Sequence, residues 1–261
     1  EIADRDWSSD VCSSDLGVGK TTTNINLAAC LAIKGKRVLV LDIDPQGNTT
    51  SGLGVSKRDS HLSTYELLTD DQIDPRDAIL QLENTPGLDL IPASVNLAGA
   101  EVELVQMEGR EAKLKRALEE VKDEYDYIFI DCPPSLGLLT INSLTAVDSV
   151  LIPIQCEFYA LEGVSQLMNT IEIVRKKLNP NLEIQGVVLS MFDGRTNLSI
   201  QVVEEVKKYF REKVYTTVIP RNVRLAEASS YGMPIFQYDP RSTGAQAYLE
   251  FADEFLMLEE E

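Results

Sequence analysis

Short apolar runs alternating with segments of helical spacing restrict this chain more than any other feature of its sequence. Residues 37–42 (RVLVLD), 127–131 (YIFID) and 149–153 (SVLIP) are strand-sized and apolar at consecutive positions, as in a strand buried on both faces. Residues 88–91, 184–191 and 214–219 read as further strands. Apolar residues recur at helical spacing over 21–34 (Ile25, Ala28, Ala29, Ala32), and Gly35 is placed to stop that helix. Helices are also predicted over 111–121, 161–178, 199–210 and 244–256, and the polar stretch 50–82 predicts short helices. The repeated strand–helix order predicts an α/β fold, a mostly parallel twisted sheet with helices on both faces. With no repeat and no long linker, residues 17–261 are expected to form a single domain.

A chain of 261 residues, 44% hydrophobic and 25% charged, can bury a sizeable core without a metal or a disulfide. No apolar run approaches the roughly 18–20 residues of a membrane span. No basic start leads into an apolar stretch, which argues against secretion. Cys12, Cys30, Cys132 and Cys156 lack paired spacing, so they read as reduced cytoplasmic thiols rather than a disulfide frame or a zinc site. The net charge of -18 argues against polyanionic partners at the level of the whole surface, but a local basic patch is enough to bind phosphate.

Residues 1–16 (EIADRDWSSDVCSSDL) stand apart. Ser-Ser-Asp occurs twice, five acids face one base, and there is no apolar alternation. The segment reads as non-native, like a translated sequencing adapter joined to a truncated frame, and the strand expected ahead of residue 17 reads as missing or replaced.

Three motifs carry chemistry. Gly17-Val18-Gly19-Lys20-Thr21-Thr22 has the form of a phosphate-binding loop entering a helix. Its glycines let backbone N–H groups approach phosphate, Lys20 would reach the β- and γ-phosphates, and Thr21 would ligate Mg²⁺. Asp131 closes an apolar strand ahead of Cys132-Pro133-Pro134, the form of a Walker B carboxylate. Asp42-Ile43-Asp44-Pro45-Gln46-Gly47-Asn48 follows another strand at its C-terminal end, where open α/β sheets bind ligands.

GVGKTTTNINLAA, VLDIDPQGNTTSGLG, YDYIFIDCPPSLG, IPIQCEFYALEGVSQL and VIPRNVRLAEA together resemble the ParA/Soj branch of P-loop ATPases, the deviant Walker A class that includes MinD. The match spans about residues 17–256 and is nearest to the chromosomal Soj type. The resemblance implies a P-loop NTPase that binds ATP and Mg²⁺. It assigns Gly17, Val18, Gly19, Lys20, Thr21 and Thr22 to the phosphates, Asp44 to the attacking water, and Asp42 with Asp131 to the metal. Residues 133–137 match the second switch. Met191, Pro220 and Asn222 become candidates for the nucleotide base, Asn222 foremost. Arg195 and Arg224 match positions linked to non-specific DNA binding, although by sequence alone each is an ordinary solvated charge. The implied partners are a second copy on ATP binding, DNA, and a centromere-binding ParB-type protein, with a cytoplasmic, nucleoid-associated location and no membrane.

The family loop begins Lys-Gly-Gly where this chain has Asp15-Leu16-Gly17. The missing lysine is the one that reaches the partner's phosphates in the family dimer, so the chain as it stands is expected to be a weak ATPase and poor at dimerising. Three alternative functions are compatible with a loop of this kind. A MinD-like membrane ATPase needs a basic amphipathic C-terminus, and this one is acidic, FADEFLMLEEE. An iron–sulfur reductase or a ligase needs cysteines placed to meet across a dimer, and Cys132 and Cys156 read better as buried hydrophobes. A nucleotide-binding relative without turnover is the third. His61 is given no role, and Phe158 and Tyr159 read as packing residues.

Overall fold

The structure is a computed structural model and describes residues 8–11, 19–58, 62–157 and 160–259. In chain order it contains β1 (Ser8–Val11), α1 (Lys20–Ile33), β2 (Val38–Asp42), α2 (Asn48–Gly52), α3 (Thr64–Thr69), β3 (Leu80–Gln81), β4 (Leu88–Ile91), α4 (Leu97–Leu104), α5 (Lys113–Glu119) and β5 (Tyr127–Asp131). There follow α6 (Leu138–Ala146), β6 (Ser149–Gln155), α7 (Ala160–Lys177), β7 (Glu183–Phe192), α8 (Asn197–Phe210), β8 (Val214–Pro220), α9 (Val223–Ser230), α10 (Ile235–Tyr238) and α11 (Thr243–Glu259). The strands form one sheet in the order β3-β4-β2-β5-β1-β6-β7-β8. Every pairing is parallel except the edge pair β3–β4.

Successive residues of the buried strands serve opposite faces, as the two-residue period of a strand requires. Leu39, Leu41, Ile128, Ile130, Val150 and Ile152 belong to the core under α4–α8. Val38, Val40, Phe129 and Leu151 belong to the core under α1 and α11, with Leu27, Leu31, Phe251 and Phe255. Strands flanked by two such layers have no solvent face, which is why their sequences do not alternate.

The strand ahead of the phosphate loop, expected to be missing or replaced, is corrected on the first count. Ser8–Val11 fills the central slot, with Ser8 opposite Ile128 and Asp10 opposite both Ile130 and Val150. The backbone groups of β5 and β6 need partners on that side whatever side chains the intervening strand carries. Ser and Asp are depleted in strands, so a Ser-Ser-Asp-Val segment gave no strand signal.

Candidate functional site

Two strands bring two carboxylates to the same sheet edge. β2 and β5 are neighbours in parallel register, and Asp42 is paired directly with Asp131. Both are fully buried, at 0% and 1% exposure. α1 starts at the same edge, and the Thr21 hydroxyl donates to Asp131 Oδ2 at 2.8 Å. α2 supplies a second donor, the Thr49 hydroxyl, to the same oxygen at 2.7 Å. The other oxygen, Asp131 Oδ1, is buried and has no hydrogen-bond partner. Lys20 is buried at the start of α1, near enough to favour the charged form of Asp131.

Asp42 is placed differently from Asp131. Its Oδ2 accepts the Thr50 N–H and the Thr50 hydroxyl, each at 2.7 Å, and its Oδ1 accepts the Asp44 N–H at 3.2 Å. Asp42 therefore anchors both ends of the turn that follows its strand. Within that turn, Asp44 Oδ1 accepts the Gln46 N–H at 2.9 Å, and the Asp44 carbonyl accepts the Gly47 N–H at 2.8 Å. Asp44 is buried, at 7% exposure.

Burial holds both strand-end carboxyls above the ordinary range, since neither charge is solvated. For Asp42 the negative charge of Asp131 adds to burial and the Thr50 bonds oppose it. For Asp131 the Thr49 and Thr21 hydroxyls oppose burial. The consequence for stability has a definite sign. Asp42 titrates at 3.8 as an ordinary side chain and is pushed up to about 8 in the fold. Between those values the folded state binds more protons than the unfolded one, so stability falls as pH rises through the window. Ligand-free protein is thus expected to melt at a lower temperature at pH 8 than at pH 5, as differential scanning calorimetry would record. A melting temperature that rises over that interval would contradict the burial of these charges.

Of the expected phosphate-loop residues, Gly17 and Val18 lie outside the described residues, as do Asp15, Leu16, His61, Phe158 and Tyr159. Gly19 precedes α1 at φ 90, a left-handed value that suits glycine. A Cβ on Gly19 would lie 3.8 Å from Ser190, so the loop abuts the end of β7. Thr22 follows within α1, its carbonyl accepting Asn26 Nδ2 at 2.8 Å. The structure thus brings Lys20, Thr21, Asp42, Asp44 and Asp131 together.

The base candidates stand at the ends of the next two strands. Met191 is half-buried near the end of β7 with φ 50, a costly backbone for a non-glycine residue. Pro220 ends β8 and is paired with Phe192. Asn222 caps α9, its Oδ1 accepting the Arg224 N–H at 2.8 Å while its Nδ2 donates to Thr243 at 2.8 Å. Both ends of that amide are engaged, so any contact it made with a base would compete with the cap.

Arg195 is 89% exposed and makes a bidentate pair with Asp193, at 2.8 and 2.7 Å. Arg224 pairs with Glu227 at 2.8 Å and Asp239 at 3.5 Å. Arg221, not singled out from the sequence, pairs with Glu157 at 2.7 Å, and its N–H bonds the Phe192 carbonyl, joining the loops after β7 and β8.

Thr49 and Thr50 were missed from the sequence. The available signal was a Gly followed by a polar helix start carrying two threonines, the same order as Gly19-Lys20-Thr21-Thr22. Beyond α2, the chain meets the α9–α10 turn at two glycines. Gly54 (φ 82) and Gly232 (φ 66) approach so closely that a Cβ on Gly232 would lie 2.7 Å from Gly54 Cα.

Cys30, Cys132 and Cys156 are buried and in no disulfide among the described residues, and burial pushes the Cys30 thiol up to about 12 and Cys156 to about 11. Among the described residues no three His, Cys, Asp or Glu side chains converge on a metal position. A Mg²⁺ ion held through one carboxylate, one hydroxyl and phosphate oxygens needs no such cluster.

Comparison with known proteins follows the same lines. Residues 12–184 match a family described as an AAA domain. The chain is 65% identical over 238 residues to the sporulation initiation inhibitor protein Soj of Bacillus subtilis, covering 91% of this chain and 93% of that protein. It is 52% identical over 240 residues to the chromosome partitioning protein ParA of Myxococcus xanthus, covering 92% and 84% of the two chains. Among solved structures it is similar to cobyrinic acid a,c-diamide synthase from Mycobacterium smegmatis with bound ATP analogue and magnesium, at a TM-score of 0.84 and 38% identity, covering 96% and 94%.

Proposed function

The chain belongs to the ParA/Soj family of chromosome-partitioning ATPases, and from that premise we propose that it is a slow Mg²⁺-dependent ATPase whose ATP-bound dimer binds DNA without sequence preference. Hydrolysis, stimulated by a ParB-type centromere-binding protein, releases it. The observation that carries the reading is Asp131, a buried carboxylate with two threonine hydroxyls on one oxygen and no partner on the other. A buried charge left in that condition is costly unless a cation completes it.

Asp131 and Thr21 fit Mg²⁺ as one carboxylate and one hydroxyl beside phosphate oxygens. When bound, the ion neutralises charge on the β- and γ-phosphates. Lys20 and the N–H groups at the start of α1 hold the phosphates in line. Asp44, fixed by the Gln46 N–H, orients the attacking water. Asp42 holds the Asp44 turn and the Thr50 helix start as one unit beside the metal. Lys20, Thr21 and Asp131 would hold the triphosphate and its metal at the strand ends, and Met191, Pro220 and Asn222 would face the base. The expected setting is cytoplasmic, on the nucleoid.

For the DNA-binding role, Arg195 and Arg224 sit on the loop after β7 and the first turn of α9, at the same C-terminal end of the parallel strands as Asp42 and Asp131. Exposed ion pairs of this kind are weak and solvent-screened, so a DNA phosphate can replace the carboxylate. DNA binding measured against salt with and without ATP tests this. Arg195→Ala and Arg224→Ala are each expected to weaken ATP-dependent binding and to flatten the log–log salt slope by about 0.9. Binding indifferent to both nucleotide and arginines would remove the DNA role.

A membrane-directed reading of the MinD kind finds little support in α11. Its Tyr248, Phe251 and Phe255 are buried in the core, and its exposed end carries Met257 and Leu258 beside Glu259 with no basic residue in the last turn.

A further inference from the structure

The turn that carries Asp44 is gripped from outside by a lysine that none of the motifs includes. Lys57 is half-buried, and its stem lies across Gly47. A Cβ on Gly47 would fall 2.2 Å from Lys57 Cδ and 2.9 Å from Cγ, so the crossing exists only because residue 47 is glycine. Gly47 also holds φ 59, which favours glycine independently. Beyond the crossing, Lys57 Nζ donates to the Gln46 carbonyl. The N–H of that same residue donates to Asp44 Oδ1 at 2.9 Å. Gln46 is therefore pinned at both ends, by Asp44 on one side and by Lys57 on the other.

We propose that Lys57 is a positioning residue for ATP hydrolysis, which fixes the Asp44–Gly47 turn so that the Asp44 carboxylate is held at one orientation toward the attacking water. The proposal rests on the ATPase reading above. It goes beyond it in assigning catalytic weight to a residue outside every nucleotide-binding motif. Lys57 is not given contact with the nucleotide. Its effect runs through Gln46, and a carboxylate displaced by about 1 Å from its working position can cost up to about 10² in rate.

The test compares Lys57→Met, Lys57→Arg and Asp44→Ala with the unsubstituted chain. Lys57→Met keeps the apolar stem over Gly47 and removes the ammonium. It is expected to lower kcat about tenfold while KM for ATP changes by less than about twofold, the pattern of an interaction that matters in the transition state. Lys57→Arg restores a donor to the Gln46 carbonyl and is expected to recover most of the rate. A purely structural role would lower the melting temperature and leave the ratio of kcat to KM unmoved, with no selective rescue by arginine. Hydrogen exchange at the Gly47 and Asn48 amides supplies a readout independent of turnover, and it is expected to quicken in Lys57→Met. Unchanged exchange overturns the proposal whether or not the chain hydrolyses ATP. If Asp44→Ala stops turnover and Lys57→Met does not slow it, the positioning role alone fails. If Asp44→Ala hydrolyses ATP at the unsubstituted rate, the ATPase reading fails with it.

Discussion

Changing Asp15→Lys and Leu16→Gly together is expected to raise the ATPase rate by about 10³–10⁵. The family resemblance places at position 15 a lysine that reaches the partner's phosphates in the ATP dimer, and in-trans cations of this type supply rate enhancements of that order. At those family positions an aspartate would set a negative charge against polyphosphate, and a leucine would add a Cβ where the family loop has glycine. Both positions lie outside the described residues, so the prediction stands on sequence and charge alone. Phosphate release under multiple turnover gives the rate, and sedimentation with and without ATP gives the dimer. A further chain with an apolar strand in place of Ser8–Val11 separates loss of the lysine from loss of strand quality. Equal rates in all three chains would remove the view that residues 1–16 are foreign to the site.

Asp131→Asn is expected to lower ATP turnover by about 10²–10³ while leaving the ligand-free protein as stable or more so. The amide can accept from only one of its two terminal atoms, so the Thr21 and Thr49 hydroxyls lose their shared anion, and the metal loses its carboxylate. Yet the substitution also removes a buried negative charge that lies against Asp42 on the neighbouring strand. That relief offsets the weakened hydrogen bonds, the usual relation between a strained site and its scaffold. Melting temperature and turnover measured on the same preparation check it. A large drop in both would make Asp131 a fold residue first. Unchanged turnover would detach it from the metal.

The strands were legible because burial on both faces leaves an unambiguous apolar run, and two of those runs end at the carboxylates of the site, Asp42 and Asp131. Asp42 and Asp131 could be read as strand-end carboxylates, but their pairing across adjacent strands depends on strand order, which no local pattern encodes. Thr49 and Thr50 were invisible for the same reason, since their roles exist only through contacts with Asp131 and Asp42. α6 gave no helical signal because its buried face includes Thr140, Asn142, Ser143 and Thr145. These are satisfied largely by backbone carbonyls, Ser143 by Leu139 and Thr145 by Ile141, which hides the polar groups from solvent but not from a hydropathy pattern. α4 and α9 are one or two turns of mixed polarity, too short for a period to show. Lys57 was read past as one more charge in a polar stretch, because a lysine crossing a glycine is a feature of packing and not of spacing.

The meeting of Gly54 with Gly232 carries a mechanical consequence. No side chain stands between these two loops to rotate and absorb a small shift. Here backbone lies against backbone, so nothing between the two loops can yield, and displacing one by a fraction of an ångström must displace the other. The helix start bearing Thr49 and Thr50 is thereby geared to the helix bearing Arg224, like two cogs meshed without slack.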